Sequence, residues 1–136
     1  MTAPDVIGLG SATLDTIGLV PHLPQVDEVM PLAGLTRQGG GPVAQALVAL
    51  TRLGATAGFV GRVGDDAIGA EIAAGLAAEG VEVMHLQHEP GAISSQAMIL
   101  VDQPTGKRSI CFARGNTGDV IVDDATLAYL CSGRFL

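Results

Sequence analysis

Residues 39–54 read GGGPVAQALVALTRLG. Proline at the first helical position and glycine just past the last are the expected punctuation of a helix, which the pattern places over Val43–Leu53. Val43, Leu47, Leu50 and Leu53 fall on one face and alanines fill much of the rest, so a buried helix is predicted. The three glycines ahead of it let the backbone approach a ligand closely, and the helix start behind them offers free N–H groups to oxygen atoms. The same residues also suit a tight turn needed only for packing, and local physics leaves both readings open.

Upstream, Asp5–Gly10 (DVIGLG) is a short apolar run bounded by turn formers, as in a buried strand. Asp15–Val20 alternates apolar and small residues and is stopped by Pro21 and Pro24. Val29–Gln38 is the expected return strand, with Pro31 at an edge position. Downstream, Ala57–Val63 is a core strand, and Asp65 or Asp66 caps a helix carrying Ile68, Ile72 and Leu76 and ended by Gly80. Val81–Leu86 alternates as a strand, Ser95–Asp102 and Lys107–Ala113 form a hairpin across Gln103–Gly106, and Asp123 or Asp124 caps a third helix through Cys131. Phe135-Leu136 reads as the start of another core strand.

Alternating strands and helices imply a layered α/β domain, and the two antiparallel excursions imply a small second sheet beside the main one. The composition suggests a sheet that is not fully covered. Apolar residues make up 48%, about 62% with glycine against ~45–50% in ordinary domains, and charged residues only 15% against ~25%. Surface is therefore hidden in an oligomer or covered by further elements, and Val6, Ile7, Leu47 and Leu50 are the apolar positions expected to lie bare.

A net charge of −7 with seven Lys and Arg argues against a nucleic-acid surface, which needs clustered cations. No apolar run suits a bilayer, and Asp5 and Asp15 without a leading Lys or Arg do not suit a secretory signal, so the cytoplasm is expected. Cys111 and Cys131 have no metal or redox spacing.

Gly8-Leu9-Gly10 lacks the third glycine of a dinucleotide fingerprint, since position 13 is Thr and the prolines exclude a following helix. Gly106-Lys107 lacks the rest of a Walker loop. His85 and His88 should point to opposite sides of a strand and its exit, which does not suit a shared metal. Asp15, leaving the first core strand, can accept hydrogen bonds from two ligand hydroxyls or serve as a turn carboxylate.

Together these segments resemble the ribokinase-like (PfkB) sugar kinases. Gly10-Ser11-Ala12-Thr13-Leu14-Asp15 is similar to that family's opening strand and substrate-binding aspartate. Gly40-Gly41-Pro42-Val43-Ala44-Gln45 through Arg52-Leu53-Gly54 resembles its N-terminal signature, and Val60–Gly69 (VGRVGDDAIG) its next block. The resemblance runs the length of the chain, in order. It implies a ribokinase-like three-layer sandwich, incomplete here, with a β-sheet lid from strands within 13–38 and 95–113 that closes over the sugar and often dimerises. It implies sugar binding by Thr13, Asp15, Gly40, Gly41 and Gln45, the last standing where many members have Asn. It also implies phosphorylation of a sugar, sugar acid or nucleoside with ATP and Mg²⁺. The family's anion hole, catalytic aspartate and nucleotide pocket belong to a second half, so no catalytic, nucleotide or metal residue is assigned in this chain, and the 136 residues alone are expected not to transfer phosphate. The alternatives are a non-catalytic sugar-binding or dimerisation module and, disfavoured by Thr13 and the prolines, a dinucleotide-binding oxidoreductase.

Overall fold

The computed structural model describes residues 3–136. Its elements in chain order are β1 (Val6–Leu9), β2 (Thr13–Val20), β3 (Gly34–Gly40), α1 (Pro42–Arg52), β4 (Ala57–Gly64), α2 (Ala67–Ala78), β5 (Val81–Glu82), β6 (Leu86–Glu89), β7 (Gln96–Asp102), β8 (Arg108–Ala113) and α3 (Asp124–Leu130). They form two sheets. The first is parallel: β4 pairs with β1 on one side and with β5 and β6 on the other. The second has the order β3-β2-β7-β8, with β2 and β7 parallel at its centre and antiparallel strands outside them.

Strand alternation sends the side chains of β4 into two cores. Phe59 and Val63 join Leu47 of α1 and Ile72 and Leu76 of α2, whereas Val60 joins Ile7 of β1 and Leu130 of α3. Helices therefore cover both faces of the parallel sheet, and the three layers expected from the sequence are present. Phe135 begins the expected further strand as a single parallel bridge to Val6, with Ile7 N donating to Phe135 O at 3.0 Å.

The glycines of Gly8-Leu9-Gly10 serve packing. A Cβ on Gly8 would stand 2.6 Å from Val43 Cγ1 and 2.8 Å from Leu47 Cδ1, and one on Gly10 would overlap Val43. Their absence lets α1 lie directly on β1.

Four expectations are corrected. The return strand is Gly34–Gly40, not Val29–Gln38, because β2 runs back to Thr13 and stops at Val20 before Pro21. Ala33 N still donates to Leu19 O of β2 at 2.8 Å, but residues 29–32 have no strand to pair with, and Val29 is fully in solvent. Val81–Leu86 is not one strand. Glu82 pairs with Gly58 and Leu86 with Gly61, so this side carries one extra residue, and it turns through Met84 and His85 as a bulged strand does. The helix at 42–52 is covered on one side only, with Ala44 and Leu47 buried, and Leu53 at its C-cap is 84% exposed. Ile7 and Leu47 are not bare either, since Ile7 packs under Leu130 and Leu47 against β1. The exposed apolar residues are elsewhere, and Leu35, Met98, Ile110 and Phe112 among them lie on the second sheet.

Candidate functional site

The site is built where the two sheets meet. Register places Thr13 opposite Gly40 and Asp15 opposite Gln38, so these four positions share one face of the second sheet. Thr13 Oγ1 donates to Asp15 Oδ1 at 2.9 Å. Thr13 is buried and Asp15 half-buried. A Cβ on Gly40 would overlap both Asp15 oxygens and the Thr13 hydroxyl, so only glycine leaves room for this pair.

Gly41 follows as the N-cap of α1 with φ 94°, a backbone that favours glycine, and a Cβ there would lie 2.6 Å from Ser11 O. Gly41 has no side chain to cap the helix, and Pro42 has no N–H, so the first turn keeps uncapped donors at Val43 and Ala44. Gln45 N closes the first helical bond to Gly41 O at 3.0 Å, and the Gln45 side chain is exposed.

Thr13, Asp15 and Gly40 are thus in direct contact, with Gly41 next in the chain and Gln45 one turn into α1. A cleft of about 800 Å³ lies mainly on the other side of this sheet. It runs between α1 and α2 under Leu14, Arg37 and Gly39, which alternate away from Asp15, and Arg37 pairs there with Glu71 at 2.9 Å. Thr13, Gly40 and Gln45 border it, so Gln45 stands between the cleft and the glycine turn.

Register also adds residues that sequence reasoning did not find. Asp15 pairs with Ala97 on β7, and Ala97 with Phe112 on β8, making a row Gln38-Asp15-Ala97-Phe112 across four strands. The next row on this face is Thr36-Ile17-Ile99-Ile110. A carboxylate beside an apolar floor suits a sugar, whose hydroxyls seek the acceptor and whose C–H faces lie on the floor. The alternation of 96–102 and 108–113 marks which residues share a face, but the parallel pairing of β7 with β2 leaves no local signal.

Of the remaining candidates, Asp66, Asp123 and His85 have structural roles. Asp66 and Asp123 cap α2 and α3, accepting from Gly69 N at 2.7 Å and Thr126 N at 2.8 Å. His85 stacks on Tyr129 at 3.9 Å while His88 is exposed. Cys111 and Cys131 are free and exposed. Among the described residues no three His, Cys, Asp or Glu converge as metal ligands, and no helix is long and apolar enough to cross a membrane.

The sequence pattern of the pfkB family carbohydrate kinases matches residues 3–132. The chain belongs to this family. A curated relative, the fructokinase of Escherichia coli, is 36% identical over 98 residues, covering 71% of this chain and 31% of that one. Among solved structures, Arabidopsis thaliana ribokinase complexed with ribose and ATP superposes with a TM-score of 0.80 at 24% identity, over 99% of this chain and 47% of that one. Xylella fastidiosa fructokinase with bound ATP gives a TM-score of 0.62 at 28% identity, over 81% and 34%. The fold is therefore ribokinase-like, and this pfkB-family chain spans about a third of its curated relatives' length.

Proposed function

We propose that the chain is the sugar-holding part of an ATP-dependent carbohydrate kinase, acting on a hydroxyl of a sugar, sugar acid or nucleoside. The observation that carries this is the Thr13-Asp15-Gly40 unit, an oriented carboxylate facing an apolar row beside an uncapped helix start. Asp15 accepts sugar hydroxyls, the glycines at 40 and 41 admit the sugar close to the backbone, and the N–H groups of Val43 and Ala44 donate to its oxygens. Gln45 supplies an amide that adjusts which hydroxyl pattern fits. The β3-β2-β7-β8 sheet acts as the lid over the sugar, excluding water from it. Its exposed apolar residues favour a homodimer through this sheet.

Relatives with bound ATP support ATP as phosphoryl donor, with Mg²⁺ as its usual partner. The described residues do not fit either group. The glycine turn that could cradle a phosphate faces the Asp15 carboxylate, which repels it, and no set of carboxylates converges on a metal position. The base that takes the sugar proton and the groups that steady the moving phosphate are accordingly not assigned to the described residues.

The test is calorimetric titration of the chain with D-fructose, D-ribose, D-gluconate and adenosine, alongside an ATP-consumption assay. Binding of at least one compound without ATP turnover is expected. Silence across the panel, or sugar-dependent ATP turnover by this chain alone, would overturn the proposal. In the same titrations Gln45→Asn should reorder the affinities, since it withdraws the amide by one methylene. An unchanged ranking would place Gln45 in the helix cleft only.

A further inference from the structure

We infer that Thr13 is a positioning residue: its hydroxyl proton is committed to Asp15, and it orients the carboxylate instead of donating to the sugar. This rests on the sugar-binding reading above and narrows it. Thr13 and Asp15 stand two apart on β2, on one face, and the 2.9 Å bond runs from Thr13 Oγ1 to Asp15 Oδ1. A threonine hydroxyl has a single proton to give. Thr13 is only 8% exposed, so water cannot readily replace the acceptor, and a buried donor stripped of its partner is costly.

The branched Cβ of threonine also holds its χ1 stiffly in a strand, which keeps the donor in place. Gly40 completes the arrangement. Its missing side chain leaves the space that the Thr13 hydroxyl and both Asp15 oxygens occupy. The carboxylate is therefore held at Oδ1 by a donor and supported from below by backbone. Oδ2 makes no hydrogen bond to the described residues, which leaves it free to accept from a ligand. A hydrogen bond between charged acceptor and neutral donor is strong enough to select one rotamer of so short a side chain.

Two substitutions separate the proton from the shape. Thr13→Val keeps the branched shape and removes the proton, and Thr13→Ser keeps the proton and removes the methyl group. In the chain without sugar, the ¹³C carboxyl resonance of Asp15 is expected to move in Thr13→Val and to return in Thr13→Ser. The wild-type Thr13 hydroxyl proton should also exchange slowly enough to be seen by NMR, a measurement that needs no variant. Affinity for D-fructose, or whichever of the four compounds binds, should fall about tenfold in Thr13→Val and less than about twofold in Thr13→Ser. An Asp15 resonance unmoved by Thr13→Val, or a freely exchanging hydroxyl, overturns the assignment whatever the sugar data show. If the resonance behaves as expected and no compound binds, the positioning of Asp15 stands and the sugar reading falls.

Discussion

Gly40→Ala is expected to abolish sugar binding in a chain that still folds, while Gly39→Ala, one residue earlier, leaves both intact. Gly40 does not have a positive φ, so alanine suits its backbone and the effect comes from space alone. The added methyl would occupy the position of the Asp15 carboxylate and the Thr13 hydroxyl, forcing both out of their arrangement. Around Gly39 nothing lies within 4 Å of the corresponding position. Two sugar hydroxyls bonded to a carboxylate are worth ~3–6 kcal/mol, or about a hundredfold to ten-thousandfold in affinity. Asp15→Ala should match Gly40→Ala, because it removes the acceptor that the methyl displaces. Titration with the best-binding sugar, with circular dichroism to confirm folding, checks all three variants. Unchanged affinity in Gly40→Ala would mean that the sugar does not rest on Asp15.

Asp66→Ala should produce the largest loss of stability. Asp66 Oδ1 accepts from Gly69 N and from Ser94 Oγ, both at 2.7 Å, and Oδ2 accepts from Ser94 N at 3.0 Å. Ser94 is 1% exposed, and its Oγ in turn accepts from Gly64 N at 2.8 Å. One carboxylate thus caps α2, anchors the segment before β7 and fixes the end of β4. Truncation removes the cap, worth about 1 kcal/mol, and strands two buried donors at about 1–3 kcal/mol each. About 3–7 kcal/mol is expected, against a total of ~5–15 kcal/mol for a domain. In thermal unfolding this should read as a Tm lower by about 10–25 °C. A fall of under about 3 °C would show that the network relaxes onto water.

The same carboxylate sets a pH dependence. Burial raises the pKa of Asp66, but the hydrogen bonds from Ser94 and Gly69 outweigh it, and the net direction is down from the ordinary aspartate value of 3.8. A folded pKa below the unfolded one gives stability that is present above about pH 4 and is lost as pH falls through the folded pKa. Asp66→Asn, which does not titrate, should therefore lie closer to wild type in acid than at neutral pH.

Much of this was legible in the sequence because it is written locally. Pro42 and Gly54 bracket α1, and Asp66 and Asp123 cap their helices through side chains that reach only three residues. Asp15 and the glycines stood out from local chemistry and Thr13 from the family pattern, and the structure brings Thr13, Asp15 and Gly40 into contact. What escaped depends on partners distant in sequence. Whether residues 29–33 form a strand is decided by where β2 ends, and the bulge at Met84-His85 by the spacing along β4. The apolar row Ala97 and Phe112 exists only because β7 pairs in parallel with β2. Leu53 looked like core because it continues an apolar stripe, but the helix ends one residue before it.

The parallel pairing of β2 with β7 has a consequence for how such a protein changes over generations. The segments 13–40 and 96–113 enter the second sheet from separate parts of the chain, divided by α1, β4, α2, β5 and β6. Neither hairpin can be exchanged, lengthened or shifted by one residue without presenting the wrong side chains to the other, because a one-residue slip turns every side chain to the opposite face. A new substrate preference on this sheet is thus more readily acquired by substitution within the rows Asp15-Ala97-Phe112 and Ile17-Ile99-Ile110 than by insertion or deletion. The two segments are inherited as one part, although the gene carries them as two.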